Sequence, residues 1–379
     1  MKPTMSDIVA RERERGLARL ASKVPEWAGV EGLEYPSSLA LEQCSSSPTA
    51  LYKASLLRGE SAVADLTGGL GVDSWAFSLS AARVLYNEMN PALASAVEHN
   101  FALLGISNVV FSHVEIGPDT LGEVAGFAPG LIYLDPSRRD CAGRTVFLPE
   151  QCSPDILGLR DALLEIAPCV LVKLSPMADI PMLASRLGEV LSELHVVGLD
   201  GECKELLCLL ERGHSGPYIL RVISLPAGQT MDLDPAAESS AEVTFPPSAQ
   251  ALEGTVLFEP SPQLSKSGCF RQISQRWSLW KLGRSTQLYA GEVPGELEPF
   301  GKRFIIKEIH PLRSSTLRGI GRSLGRAEVS ARNIPMSSEQ LRSRLGVASG
   351  GDVHVFGVTV ELSGGPAGGE RYLLVCERL

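Results

Sequence analysis

The sequence predicts an α/β chain: a mostly parallel sheet covered by helices on both faces, preceded by N-terminal helices and followed by smaller α+β C-terminal domains. Two patterns carry this expectation. From residue 62 to residue 174, short unbroken apolar runs alternate with segments of helical period, as strands buried on both faces require. Over 226–254 the composition shifts to Pro, Ala, Ser and acidic residues, with Pro246-Pro247, which marks a connector.

The elements follow in order. Ile8 to Leu20 and Ala40 to Leu57 carry apolar residues at helical spacing, separated by Pro36-Ser-Ser. Strands are expected at Ala62–Leu66, Ala82–Tyr86, Asn108–Phe111, Gly130–Leu134 and Cys169–Leu174. Helices are expected between them, at Val72–Ser80, Pro91–Leu104 and Asp155–Ile166. His195–Gly198 and Lys204–Leu210 read as a hairpin that closes the sheet, and Tyr218–Leu225 as one more strand. The organisation expected is a helical region over 1–60, the sheet domain over 61–225 and the connector over 226–254. Two small modules follow, over 255–311 and 312–379. The last has strands near Ala327–Ala331, Val353–Glu361 and Tyr372–Cys376, and a loose loop at Ser363–Gly369.

The totals exclude several classes. No apolar run reaches the roughly 18 residues of a membrane span, and the arginine-rich start lacks a signal peptide's apolar core. The 8 cysteines form no CxxC, so neither a metal site nor a disulfide framework is indicated, and a reducing cytoplasm is expected. Net charge is −9, yet residues 264–345 hold 15 Lys+Arg against 6 Asp+Glu. Basic charge is therefore concentrated late in the chain.

Asp65-Leu-Thr-Gly-Gly-Leu-Gly71 follows the first strand and opens a helix. Glycines there let a ligand approach the backbone, and strand carboxyl ends are where open α/β sheets bind ligands. The acidic residue precedes the glycines, unlike a pyrophosphate-binding turn. After the second strand, Glu88-Met-Asn-Pro91 offers a carboxylate for two ribose hydroxyls. Together these point to S-adenosylmethionine held by Asp65, Thr67, Gly68, Gly69, Gly71, Glu88 and Asn90. The ordinary alternative is a tight turn beside a surface glutamate.

The fourth strand ends Leu134-Asp-Pro-Ser-Arg-Arg139. Methyltransferases acting on exocyclic amines carry a polar residue, two prolines and an aromatic there, so that oxygens accept the amine's protons and a ring stacks on the base. Here Ser137 replaces the second proline and Arg138 the aromatic; a guanidinium can also stack or bind phosphate. Asp135, Pro136, Ser137 and Arg138 are thus candidate catalytic residues; the ordinary alternative for Arg138-Arg139 is a pair of surface ion-pairing residues. Lys173, in Val172-Lys-Leu-Ser-Pro176, is either an active-site cation or a solvated strand end. Ser175 is no thiolate and Cys141 and Cys169 fall outside both motifs, which disfavours covalent carbon methylation.

With these residues, the chain resembles a bacterial family of class I methyltransferases with a ferredoxin-like insert and a C-terminal THUMP-like domain. The resemblance spans Pro36–Cys44, Thr49–Lys53, Asp65–Asp73, Asp135–Arg139, Lys173–Pro176 and Gly201–Leu206. It continues through Phe258–Pro260 and Lys266 to Ala331–Asn333 and Gly350–Asp352. It implies a Rossmann-like class I methyltransferase sheet, S-adenosylmethionine as cofactor and an RNA-binding appendage. After the third strand, Ser112-His-Val-Glu115 lacks the usual acid for the adenine amine; either Glu115 substitutes, or backbone and apolar contacts hold the ring.

Trp277, Trp280, Tyr289 and Phe300 lie among basic residues, as single-stranded RNA recognition requires. The spacing of Trp277 and Trp280 fits a buried helix face better than a stacking platform. Arg313, Arg318, Arg322, Arg326 and Arg332, interrupted by glycines, read as a flexible arginine-bearing loop over phosphate. The expected function is methyl transfer to RNA at a base nitrogen. A non-catalytic RNA-binding protein that keeps the cofactor fold and a small-molecule methyltransferase remain the other readings.

Overall fold

The computed structural model describes residues 5–59, 62–137, 152–366 and 368–379. They divide into two compact units: Met1–Asp200 with Lys204–Gly228, and Gly201–Cys203 with Gln229–Leu379.

In the first unit the strands are β1 (Ala62–Asp65), β2 (Arg83–Asn87), β3 (Val109–Ser112), β4 (Leu131–Leu134), β5 (Cys169–Leu174), β6 (Leu191–Leu199), β7 (Glu202–Glu211) and β8 (Ile219–Leu225). Their order is β3-β2-β1-β4-β5-β7-β6-β8. β1 to β5 are parallel neighbours, β7 runs antiparallel to β5, and β8 pairs parallel with β6. β1 and β4 are buried along their whole length, which is why they read as continuous apolar runs. The β6–β7 hairpin forms because Asp200 and Gly201 both take positive φ, 53° and 77°, the two-residue turn that matches strand twist.

Each helix start has a local cause. Asn90 caps Pro91–Leu103 by accepting from Ala92 N at 3.1 Å and Leu93 N at 3.4 Å, and Pro91 suits the first helical position. Asp155 caps Ile156–Ile166. The expected helix over Ala40–Leu57 is two, Ser38–Gln43 and Ser47–Ala54, because Cys44 and Ser46 are extended and Pro48 starts a new turn. Lys23, ending the helix Met5–Lys23, donates to the carbonyls of Leu41, Glu42 and Cys44 at 2.8, 2.7 and 3.0 Å. That ammonium pins the end of Ser38–Gln43, where carbonyls lack helical partners.

The second unit opens with β9 (Gln229–Leu233) and continues through β10 (Val256–Pro260), β11 (Trp280–Gly283), β12 (Thr286–Gly291), β13 (Gly301–Pro311), β14 (Glu328–Arg332), β15 (Val353–Val360) and β16 (Glu370–Arg378). Seven of these form a sheet in the order β11-β12-β10-β13-β16-β15-β14. β13 pairs with β10 along one edge and with β16 along the other.

Two expectations fail here. Trp277 and Trp280 share no helix face: the helix Phe270–Arg276 stops, Ser278 takes φ 52°, and Trp280 begins β11. The arginine-bearing segment is no loop either, since Ser314–Leu324 is helical. Its glycines serve packing instead. A Cβ on Gly321 would sit 1.7 Å from the Leu345 carbonyl oxygen, so only glycine lets the helix approach that backbone.

Candidate functional site

Strand order reverses between β1 and β4, and the crevice beyond their carboxyl ends is where such sheets hold ligands. The turn after β1 is shaped from within by Asp65. Its carboxylate is fully buried and accepts from Thr67 N at 3.1 Å and Ser74 Oγ at 2.6 Å. Burial pushes this carboxyl up to about 7, against the hydrogen bonds from Ser74 and Thr67. Asp65 therefore organises the turn and does not line the cavity above it. Gly71 is also outside the lining: it caps the helix Val72–Ser78 at φ 80°, where a Cβ would come within 2.7 Å of Val97.

Gly68 and Gly69 do line that cavity. A Cβ on Gly68 would overlap the Tyr86 ring at 2.1 Å, and the Tyr86 hydroxyl donates to Gly69 O at 2.7 Å. Glu88 stands opposite, each oxygen already fixed. Oε2 accepts from Gly69 N at 3.0 Å and Oε1 from Asn90 N at 2.8 Å. Asn87, beneath, bonds Leu66 O and both backbone groups of Val114, tying three strand ends together. Val114, Glu115 and Ile116 also line the cavity.

This cavity measures about 470 Å³, within the roughly 300–1,000 Å³ of small-molecule sites. A second, of about 840 Å³, adjoins it. Asp135, Pro136 and Lys173 belong to the walls of both, as do Leu39, Gln43 and Cys44 from the N-terminal helices. Thr67 Oγ1 accepts from Asp135 N at 2.6 Å and so couples the β1 turn to the end of β4. Lys173 Nζ, at the end of β5, meets Asp135 Oδ2 at 2.5 Å. Burial opposes the Lys173 charge, but Asp135, Glu205 and Asp73 outweigh it and hold its pKa above the ordinary lysine value. Ser137 lines the first cavity and pairs with Ser153 as an isolated bridge. Arg138 and Arg139 lie outside the described residues.

Below this pair is a group that sequence reasoning missed. Lys53 is fully buried with Nζ 2.8 Å from Asp73 Oδ1, 3.4 Å from Glu205 and 2.8 Å from Ser45 Oγ. Asp73 also accepts from Ser45 Oγ at 2.8 Å and Tyr133 OH at 3.0 Å. Burial works against the Asp73 charge, yet Lys53 and Lys173 prevail and hold it below the usual carboxylate range. Glu205, by contrast, is pushed up by burial despite the same lysines. Lys53, Asp73 and Glu205 fall on three separate elements, so no spacing in the chain announces them. Cys44, also missed, is held as a thiol because burial pushes its pKa up.

Residues 257–296 match a ferredoxin-like domain family and residues 301–378 a THUMP domain-like family. A candidate methyltransferase from Porphyromonas gingivalis is 32% identical, with a TM-score of 0.83 over 96% of this chain and 88% of its own. An rRNA methylase from Streptococcus thermophilus is 17% identical over 44% of this chain and 93% of its own, with a TM-score of 0.32. A candidate methyltransferase from Streptococcus mutans in complex with SAH is 15% identical over 44% of this chain and 94% of its own, again at 0.32. No curated protein sequence matches the chain. Among the described residues, no helix is long and apolar enough to cross a membrane.

Proposed function

This chain belongs to the bacterial family that joins a class I methyltransferase domain to a ferredoxin-like module and a C-terminal THUMP-like domain, and on that premise we propose that it is an S-adenosylmethionine-dependent RNA methyltransferase. One observation carries the reading: the Asp135–Lys173 pair stands in the walls of both cavities, so a ligand in the first faces a ligand in the second. The donor set of the first cavity fits the cofactor. Glu88 keeps lone pairs for two ribose hydroxyls after accepting from Gly69 and Asn90, and the bare backbone of Gly68–Gly69 admits a bulky ligand. Thr67 positions the Asp135 backbone, and Glu115 borders the adenine end.

The cofactor, when bound, supplies an electrophilic methyl on a sulfonium. The chain's part is to hold the two ligands in line and take up the acceptor's proton. Asp135 is the proton acceptor in this reading, Pro136 and Ser137 shape the approach, and Lys173 fixes the carboxylate. Support for RNA comes from the THUMP-like match and from Arg313, Arg318, Arg322 and Arg326, all exposed on or beside the helix Ser314–Leu324.

Calorimetric titration with S-adenosylhomocysteine tests the cofactor half. Binding is expected, weakened about tenfold or more by Glu88→Ala, as loss of a charged hydrogen-bond partner costs roughly 1.5–3 kcal/mol. Absence of heat with the wild-type protein sinks the proposal. RNA retention should fall steeply with added salt; salt-independent retention removes the RNA half.

A further inference from the structure

One ammonium placed in the walls of both cavities bears on the acceptor atom. A neutral base amine becomes more positive as its nitrogen takes a methyl group, and it is oriented by oxygens that accept its protons. Here Asp135 Oδ2 is occupied by the Lys173 ammonium at 2.5 Å, and that ammonium lines both cavities. An ammonium at that point can donate to an oxygen as negative charge develops there, and has no such bond to offer a nitrogen that becomes positive. Among the described residues lining either cavity there is no Phe, Tyr, Trp or His, so these offer a base no aromatic face to stack on.

We propose that the acceptor is an alcohol oxygen, the ribose 2′-hydroxyl of RNA, held between Asp135 and Lys173; this rests on the RNA methyltransferase reading above. The hydroxyl oxygen forms its bond to the methyl carbon as the methyl–sulfur bond breaks and that electron pair returns to sulfur. The hydroxyl proton passes to the Asp135 carboxylate and from there to solvent. Lys173 stays protonated throughout and stabilises the oxygen as its proton leaves. Glu205, also buried and in the wall of the second cavity, stands 3.4 Å from the Lys53 ammonium.

The experiment uses the full chain, methyl-tritiated S-adenosylmethionine and total RNA from a strain lacking the gene, followed by complete alkaline hydrolysis. Alkali cleaves RNA through the free 2′-hydroxyl, so a 2′-O-methyl leaves its label in an alkali-stable dinucleotide, while a base methyl leaves it in mononucleotides. Label in dinucleotides is expected. Lys173→Met and Asp135→Asn should each lower the rate by about 10²-fold or more, with circular dichroism confirming the fold. The second substitution is chosen because an amide oxygen can still orient an amine but cannot take a proton. Label in mononucleotides overturns the inference while leaving an RNA methyltransferase, and so does an Asp135→Asn protein that keeps over about a tenth of the wild-type rate. No label in any fraction overturns the RNA methyltransferase reading itself, and this inference with it.

Discussion

The two units bury charge in opposite ways. The first takes Lys53, Asp65, Asp73 and Glu205 out of solvent, and three of these face one another in a group that reaches Asp135 and Lys173 at the cavity walls. In the second, Lys281 is the one buried charged side chain among the described residues. Its ammonium donates to the carbonyls of Gly283, Arg284 and Thr286 at 2.5, 2.9 and 3.2 Å, and burial pushes its pKa down to about 8. A charge satisfied by backbone carbonyls fixes a turn, and the glutamates that act on it, Glu361 and Glu238, count for less than its burial. Charges that answer to other titrating side chains set one another's protonation, which is what a proton-handling site needs.

The strongest way to break this contrast is Lys53→Met. It strands the Asp73 and Glu205 carboxylates without their shared cation, and removal of one member of a buried ion pair costs about 3–5 kcal/mol. Urea unfolding should show a loss of that order; a loss under about 1 kcal/mol would mean water already reaches the carboxylates. Lys281→Met sharpens the contrast from the other side. Unsatisfied carbonyls should cost about 1–3 kcal/mol, with the affinity for S-adenosylhomocysteine unchanged by calorimetry. A shift in that affinity would show that the turn is not merely structural.

The last effect concerns pH. Asp65 has a carboxyl raised from 3.8 to about 7 in the fold, so the folded chain binds this proton more tightly than the unfolded one. Its contribution to stability is full below about 3.8 and is lost as pH rises through about 7. Asp65→Asn, which keeps the shape but cannot ionise, should flatten the decline in unfolding free energy between pH 4 and 7. Parallel curves for the two proteins would refute the buried-carboxyl account.

The parallel sheet was legible because strands buried on both faces leave a local trace: Cys169–Leu174 was bounded to the residue. So was the Glu88 position, since it follows a strand and precedes a proline-started helix. What escaped is whatever depends on direction or on distant partners. Spacing places Asp65 at a strand end but cannot say that its carboxylate turns inward to Ser74 and Thr67. Lys53 and Glu205 are 152 positions apart, the first a lone charge in its helix and the second one of four in its strand. The helix Ser314–Leu324 was misread because Gly321 looks like a breaker until the Leu345 carbonyl is placed against it.

The seat built around Glu88 has one more consequence. Because Gly69 and Asn90 already hold both oxygens, the carboxylate is frozen in a single rotamer before any ligand arrives. A glutamate side chain ordered only on binding would surrender about 0.5–1.5 kcal/mol of freedom at that moment. Here that ordering belongs to folding, so the Glu88 end of the cavity is preorganised, and affinity there is set by what the ligand offers in place of water.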